Sequence, residues 1–285
     1  MKITDILNQK RATLSFEVFP PKTSDKFEAV KTAVDDIAAL KPDFMSVTYG
    51  AGGGTSDYTV AIARHIKEQF GVTPLAHLSC ISSNRQDVKK KLKELKELGI
   101  ENILALRGDL PKDFSGNLDY SYAAELVSDI KEEGGFCIGG ACYPEGHPES
   151  ATLFSDIENL KRKVDAGCDF LTTQMFFDND VFYNFLSKVR EAGIYVPVIA
   201  GIMPVTNAKQ IKRIIGLSGG SLPTRFRRIV ERFGDNDVAM LQAGIVYASE
   251  QIIDLYANGV RGVHVYSMNK PQVAEAIKAN LSSII

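Results

Sequence analysis

One acidic residue stands out in the first stretch of the chain that could form a strand. The segment Thr13 to Lys22, TLSFEVFPPK, is rich in apolar, β-favouring residues and predicts a buried strand. The pair Pro20-Pro21 cannot continue a β-ladder, so it marks the end of that strand. Glu17 therefore lies at the carboxyl end of an inner strand. A carboxylate is costly to bury there unless it is paired or used.

Polar side chains follow the other predicted strands in the same way. Each of the following comes at or just past the end of an apolar run: Thr48-Tyr49, His77, Arg107-Gly108-Asp109, Tyr143 with His147, Gln174, Met203, and Tyr266 with Asn269-Lys270. His77 and His147 come from different strands without an H-x-E or H-x-x-x-H partner, so no metal site is predicted. No nucleophile with a base is evident, and G-x-S-x-G is absent. Polar groups of this kind suit a cofactor site, where the protein supplies orientation and a proton.

The elements that must position these side chains alternate regularly. After the first strand, we predict strands at Phe44 to Tyr49, Pro74 to Cys80, Asn102 to Leu106, Phe136 to Tyr143, Phe170 to Phe176, Val196 to Ile202 and Gly262 to Tyr266. The predicted helices are Ser24 to Leu40, Ser56 to Phe70, Asn84 to Leu98, Tyr120 to Glu133, Ser155 to Ala166, Asp180 to Ala192, Ala208 to Ile215, Pro223 to Phe233, Asp237 to Asn258 and Lys270 to Leu281.

This alternation implies parallel strands joined by crossover helices. Eight such units in 285 residues favour an α/β fold of the (β/α)8 TIM-barrel type, with extra helices between strands seven and eight. No linker or shift in composition divides the chain, so residues 1–285 are expected to form a single domain. In a barrel the strand ends meet at one mouth, which would gather Glu17 and the other polar residues there.

Composition excludes several classes of function. The net charge of −2 and the scattered basic residues argue against a nucleic-acid binder. No apolar run reaches the ~18 residues of a membrane span, and the start of the chain is a short polar helix rather than a signal peptide. The glycine run Gly50 to Gly54 lacks the G-x-G-x-x-G spacing of a dinucleotide site. Four cysteines without C-x-x-C spacing predict buried free thiols in a reducing cytoplasm.

Eight motifs resemble those of a known family. They are SFEVFPPK, VTYGAGG, ALRGDLP, YPEGHPE, NLKRKVDAG, TTQMFFD, GIMPVTNAKQ and HVYSMN, in that order along the chain. On these motifs the chain is similar, over nearly its whole length, to the methylenetetrahydrofolate reductase family in its short bacterial form without a regulatory domain. The resemblance implies an FAD-dependent barrel that reduces 5,10-methylenetetrahydrofolate to 5-methyltetrahydrofolate by ping-pong hydride transfer.

The resemblance also implies roles for individual residues. Glu17 would be the general acid that protonates N10 as the methylene bridge opens, which suits a partly buried carboxyl with a raised pKa. Asp109 would lie near the flavin and the folate, where its charge should lower the flavin potential. Folate-side contacts are implied for Gln174, Gln210 and Lys270. The implied flavin contacts are Thr48, Tyr49, His77, Arg107, Gly108, Asp109, Ala123, Tyr143, His147, Asp156, Asn159, Arg162 and Lys163.

The electron donor is left open at this point. Many family members use NADH or NADPH directly, whereas similar relatives in anaerobes accept electrons through an iron–sulfur partner subunit. Two rival functions are a folate-binding methyltransferase barrel without a flavin, and a non-catalytic subunit descended from the reductase. A homo-oligomer or a hetero-complex is an expectation from the family. The two extra helices, especially Val238 to Leu255, have an apolar stripe that could be core or interface.

Overall fold

The computed structural model describes residues 1–21, 23–49, 56–81, 83–109, 119–211, 214–215 and 222–285, with only the backbone of Ser56 and Gln210. Within these ranges, eight parallel strands close into a barrel in chain order, and β8 pairs back onto β1. The predicted (β/α)8 class is confirmed. The predicted glycine run Gly50 to Gly54 lies outside the described residues.

The strands are β1 Thr13–Val18, β2 Phe44–Val47, β3 Thr73–Ser79, β4 Asn102–Leu106, β5 Cys137–Cys142, β6 Phe170–Thr173, β7 Val198–Ile202 and β8 Gly262–Val265. The helices are α1 Ile3–Gln9, α2 Phe27–Ala39, α3 Ser56–Phe70, α4 Arg85–Glu97, α5 Ala123–Glu133, α6 Leu153–Asp165, α7 Asn179–Glu191, α8 Thr224–Phe233, α9 Asp237–Ala257 and α10 Pro271–Asn280. As predicted, α8 and α9 lie between β7 and β8.

Most differences from the predicted bounds are at element ends. β6 ends at Thr173 rather than Phe176, because its register with β7 extends only over Leu171 and Thr172. The helix predicted at Ser24 begins with a 3-10 turn, Ser24–Lys26, before α2. The helix predicted from Ala208 to Ile215 begins with a 3-10 turn, Ala208–Gln210, and part of the remainder lies outside the described residues.

Alternation along the strands separates two apolar layers. Phe16 and Val18 of β1 face outward and join the large cluster between the barrel and its helices. Side chains at the intervening positions, such as Ser15 and Glu17, point into the barrel, where Ser15 meets His264 and Glu17 meets His77. The polar residues of the interior therefore come from alternate positions of an otherwise apolar sheet.

The amino-terminal end of the barrel is closed by α1. Its residues Ile3 and Leu7 pack on an inner apolar layer made of Phe44, Leu75, Leu104, Cys137, Phe170 and Ile199. Asn102 ties this segment to β4, because its side chain accepts from Ile3 N at 2.9 Å and donates to Met1 O at 3.0 Å. The helix α1, which was predicted as polar, therefore covers the amino-terminal end of the barrel.

Candidate active site at the carboxyl ends of the strands

Glu17 lies at the mouth of the barrel with little access to water. Its side chain is 17% exposed, and its Oε2 is 3.7 Å from His77 Nε2. Burial raises the pKa of Glu17 to about 8, and the neighbouring Ser46 hydroxyl opposes part of that rise. The Ser267 hydroxyl donates to the backbone oxygen of Glu17 at 2.7 Å, which fixes the end of β1. The acid is therefore protonated at neutral pH.

Two histidines lie beneath and beside this carboxyl. Burial lowers the pKa of both His77 and His264 to about 3, so both rings are neutral at physiological pH. Among the described residues, His77 Nε2 is a buried polar atom without a hydrogen-bond partner. A buried polar atom of this kind calls for a specific explanation, and its position 3.7 Å from Glu17 indicates a functional role.

A cleft of about 820 Å³ opens next to this mouth, between the ends of β4 and β5 and the helices α5 and α6. Ten of the thirteen residues assigned to the flavin by resemblance line it: Arg107, Gly108, Asp109, Ala123, Tyr143, His147, Asp156, Asn159, Arg162 and Lys163. The structure thus brings together side chains that are separated by more than fifty positions in the sequence.

The cations of the cleft are already held by protein groups. Arg107 makes a bidentate ion pair with Glu149, at 2.6 and 2.8 Å, on the rim of the cleft. Lys163 donates to the backbone oxygen of Ala141 at 2.7 Å, and burial lowers the pKa of its ammonium group. Both side chains therefore have fixed positions, and an anionic ligand would replace Glu149 as the partner of Arg107.

Asp156 shapes one wall of the cleft. Its Oδ2 accepts from His147 N at 3.2 Å and its Oδ1 accepts from the Ser150 hydroxyl at 2.9 Å. The His147 ring in turn packs edge-on against Tyr143, with 4.6 Å between ring centroids. Asp156 in the first turn of α6 therefore orders the loop that carries two aromatic wall residues.

Gly108 is the tightest backbone position of the cleft. Its φ is +86°, and a Cβ built there would be 2.1 Å from the Ser79 Oγ and 3.1 Å from the Ile81 Cγ2. Only glycine fits both the left-handed backbone and this close approach. The next residue, Asp109, is exposed at the rim, and its charge contributes to the raised pKa of the Tyr143 hydroxyl, which burial brings to about 12.

Other assigned residues are not part of the cleft. Thr48 and Tyr49 lie beyond β2 next to undescribed residues, and His77 faces Glu17 instead. The Gln174 side chain accepts from Met175 N at 2.9 Å. Lys270 donates to the Thr206 hydroxyl at 2.8 Å and lines a separate small cavity of about 30 Å³. The side chain of Gln210 lies outside the described part of the chain.

Three residues of the site were missed from the sequence: Glu149 holds Arg107, Ser46 adjoins Glu17, and His264 bonds Ser46. Tyr266, which was named from the sequence at the end of its strand, donates to Thr173 O at 2.5 Å. The strict alternation in Gly262 to Tyr266 was a usable signal, because it places His264 and Tyr266 on one face of the strand. Nothing in the sequence spacing pairs Arg107 with Glu149.

Neither a metal-binding cluster nor a membrane-spanning helix is present among the described residues. No group of three or more His, Cys, Asp or Glu side chains in the described ranges is arranged to hold a metal ion. No helix within those ranges is both long and apolar enough to cross a membrane. Cys80, Cys137, Cys142 and Cys168 are buried and free, as predicted.

A closed barrel of eight parallel strands with a protonated acid at its carboxyl-terminal mouth defines the class of (β/α)8 enzymes. The model of the family "Methylenetetrahydrofolate reductase" matches residues 2–282. The chain belongs to the methylenetetrahydrofolate reductase family and is an oxidoreductase of folate one-carbon metabolism.

Named relatives agree with this assignment. The 5,10-methylenetetrahydrofolate reductase of Pectobacterium carotovorum subsp. carotovorum is 38% identical over 269 residues, which cover 94% of this chain and 90% of that protein. The Escherichia coli (strain K12) protein of the same name is 37% identical, with 96% and 94% covered. Methylenetetrahydrofolate reductase (NADH) 1 of Arabidopsis thaliana is 35% identical over 99% of this chain but only 50% of its own length.

Solved structures show the same fold at low identity. An uncharacterized protein from Clostridium thermocellum that binds two copies of 5-methyl-5,6,7,8-tetrahydrofolic acid aligns with a TM-score of 0.68 at 13% identity, covering 99% of this chain and all of that one. Oxaloacetate acetylhydrolase aligns with a TM-score of 0.56 at 11% identity, over 96% of this chain and 82% of its own. These likenesses concern the barrel alone.

Proposed function

We propose that this protein reduces 5,10-methylenetetrahydrofolate to 5-methyltetrahydrofolate with FAD as its cofactor and Glu17 as the proton donor. The observation that carries the proposal is the burial of Glu17 at the barrel mouth, 3.7 Å from His77 Nε2, which raises the pKa of the carboxyl to about 8. A carboxyl that keeps its proton at neutral pH can act as a general acid there. The same mouth adjoins a cleft large enough for a dinucleotide-sized ligand.

The cleft fits FAD in its donors, acceptors and shape. Arg162 and the fixed cations Arg107 and Lys163 suit a diphosphate, while Asn159 supplies amide donors and an acceptor for hydroxyl groups. Gly108 lets the backbone pack directly on Ser79 and Ile81, where a Cβ would collide, and so holds Arg107 and Asp109 at the edge of the cleft. When bound, the flavin would supply the two-electron transfer that no side chain of the protein can perform.

The residues of the mouth have distinct tasks in this proposal. Glu17 gives its proton to N10 of the folate as the methylene bridge opens to the N5 iminium ion. The Ser267 hydroxyl holds the backbone of Glu17, so the carboxyl is presented from a fixed point. Asp109, at the rim, places a negative charge near the cationic iminium and favours its formation. In this proposal Gln174, Gln210 and Lys270 contact the folate.

For the first half-reaction, in which the flavin is reduced, we propose NADH as the electron donor. It rests on the Arabidopsis relative, whose name specifies NADH. Folate and NADH would then use the cleft in turn, in a ping-pong sequence, with Gln174 contacting both. Electron delivery by an iron–sulfur partner subunit is the alternative, and this chain has no C-x-x-C motif with which to hold such clusters itself.

Anaerobic mixing of the purified protein tests each step. We expect a yellow protein whose flavin absorbance bleaches with NADH and returns when 5,10-methylenetetrahydrofolate is added, with 5-methyltetrahydrofolate as product. If neither NADH nor NADPH bleaches the flavin but a chemically reduced flavin is reoxidised by the folate, a partner subunit is the electron donor. A protein without flavin that transfers a methyl group would be a methyltransferase and would refute the proposal.

A further inference from the structure

The chain leaves β8 through a turn with an uncommon backbone. Met268 and Asn269 have φ of +56° and +52°, and they are two of the three non-glycine residues with positive φ in the described part of the chain. Lys270 N donates to Ser267 O at 3.1 Å, which closes a four-residue turn with both central residues at positive φ. Methionine is strained in that region, and strain of this kind persists only where surrounding contacts maintain it.

The contacts that maintain the turn run to the segment that carries Glu17. The Asn269 Oδ1 accepts from Phe19 N at 2.9 Å, and its Nδ2 donates to Phe19 O at 2.9 Å. Ser267, at the start of the turn, donates to Glu17 O at 2.7 Å. Because a backbone N–H only donates and a carbonyl only accepts, the two contacts to Phe19 require both ends of an amide, which a carboxylate cannot supply.

On the side of β1 that faces β8, these side-chain bonds replace the β-ladder where it ends. β8 pairs with β1 only as far as Phe16, one residue before Glu17. The two prolines that follow Phe19 have no N–H, so Phe19 N is the last backbone donor by which this end of the segment can be held. The turn therefore holds the backbone at Glu17 and at Phe19, where the strand β8 no longer does.

We propose that Asn269 is a positioning residue of the folate half-reaction, which holds residues 17–19 so that the acid is presented at a fixed place in the barrel mouth. The inference rests on the proposed function in that Glu17 is taken to be the proton donor. A reacting group that is displaced by about 1 Å can lose a large part of its rate, so the fixed backbone matters for proton transfer. The next residue, Lys270, is a proposed folate contact, so one turn links the acid and a substrate contact.

Asn269→Gly removes the amide and leaves a residue that readily adopts this backbone, so the turn can form without strain. We expect FAD binding and flavin reduction by the electron donor to be unchanged. Reoxidation of the flavin at saturating folate should slow by roughly 10- to 100-fold. Stopped-flow absorbance at the flavin band measures both half-reactions, and their dependence on folate concentration separates binding from the rate at saturation. An unchanged rate at saturating folate would refute the positioning role.

Lys41→Gly is the matched control. Lys41 has φ of +55°, and its Nζ donates to the backbone oxygen of Phe70 at 2.7 Å, so the substitution likewise removes a side chain that holds a carbonyl group from a left-handed position. Lys41 precedes β2 and so lies toward the amino-terminal end of the barrel, away from Glu17. Both half-reactions should keep their wild-type rates. A loss in the folate half-reaction as large as in Asn269→Gly would assign the effect to general destabilisation and overturn the proposal.

A double-mutant cycle with Glu17→Gln separates positioning from a general structural effect. If Asn269 acts through Glu17, Asn269→Gly should slow the folate half-reaction in the wild-type background and cause no further loss in the Glu17→Gln background. Additive losses would give Asn269 a role independent of the acid and contradict the inference. Asn269→Asp, which tolerates the same backbone but cannot donate to Phe19 O, should show the same pattern and decides the matter if the glycine variant does not fold.

Hydrogen exchange separates this inference from the proposed function. The Phe19 amide is protected by Asn269, so its exchange should accelerate in Asn269→Gly and not in Lys41→Gly. If exchange accelerates but the wild-type protein fails to reduce the folate, the hydrogen bonds stand and the proposed function is refuted. If the wild-type protein reduces the folate and Asn269→Gly does so at the same rate, the proposed function stands and Asn269 does not position the acid.

Discussion

Glu17 and His77 face each other at 3.7 Å, yet they do not form a charged pair at neutral pH. Burial raises the pKa of the carboxyl to about 8 and lowers the pKa of the imidazole to about 3. Loss of water penalises the charged form of each group, so the two pKa values move in opposite directions. The site therefore holds a neutral acid beside a neutral base, and the proton is available to a substrate.

The first prediction concerns catalysis by Glu17. Glu17→Gln should retain FAD and its reduction by the electron donor, because the amide keeps the size and polarity of the carboxyl. Folate reduction should fall by roughly 10²-fold or more, the usual contribution of a general acid. Stopped-flow measurement of the two half-reactions separates these effects. Unchanged reoxidation of the flavin by the folate would remove Glu17 from the mechanism.

The second prediction concerns pH. The folate half-reaction should be constant near neutral pH and decline as pH rises through about 8, where Glu17 loses its proton. Reduction of the flavin by the electron donor needs no proton from Glu17, so it should not share that limb. The two half-reactions are compared in the same buffers, and a common alkaline limb would assign the titration to some other group.

The third prediction concerns stability. Because the folded-state pKa of Glu17 is above its ordinary value of 4.5, its stabilising contribution is complete below pH 4.5 and is lost as pH rises through about 8. Across that window the free energy of unfolding should decline more steeply in the wild-type protein than in Glu17→Gln, by up to about 1.4 kcal/mol per pH unit. Urea unfolding at a series of pH values measures this, and parallel curves would contradict a raised pKa.

Acidic pH adds a separate effect from the histidines. The pKa values of His77 and His264 are depressed, so their stabilising contribution is present above about 6.5 and is lost as pH falls through about 3. Both rings must take up a proton when the protein unfolds in acid. This contribution is the same in Glu17→Gln, which makes that variant a suitable reference for the carboxyl alone.

The fourth prediction concerns Asp109. Removing its negative charge in Asp109→Asn should stabilise the anionic reduced flavin and raise the midpoint potential. Because Asp109 is exposed, a modest change of roughly 30 mV is expected, equivalent to about 1.4 kcal/mol for a two-electron couple. Asp36→Asn, at an exposed position of α2, controls for net charge. Equal potentials in the wild-type and Asp109→Asn proteins would exclude the tuning role.

The fifth prediction concerns Gly108. Gly108→Ala introduces a left-handed alanine and a clash with the Ser79 hydroxyl, so it should destabilise the protein and abolish FAD binding. Gly259→Ala is the matched control, because Gly259 has φ +81° and open space at its Cβ position. The difference between the two variants, about 1–3 kcal/mol in the free energy of unfolding, isolates the clash. Ser79→Ala in the Gly108→Ala background should recover part of it.

Much of the fold could be predicted because it rests on local patterns. The eight apolar runs, their spacing and the helices between them identify parallel strands, and the extra helices α8 and α9 were placed correctly between β7 and β8. The ends of β6 and the turn at Ala208–Gln210 were less accurate. Strand ends depend on where the neighbouring ladder stops, which is set by partners far away in the sequence.

The candidate site, like the fold, could be predicted from the sequence only in part. The motifs identified the family, and ten of the residues they implied for the flavin do line one cleft. The sequence could not show that Arg107 is clamped by Glu149, that α1 closes the barrel floor, or that Ser15 and Ser46 both hold His264.

The sequence by itself determined which residues can do chemistry and that each follows a strand, because strand periodicity and turn residues are local properties. Tertiary structure alone decided that Glu17 is neutral. Its charge state depends on how much water the closed barrel excludes, which is set by side chains from neighbouring strands such as Ser46 of β2 and His77 of β3.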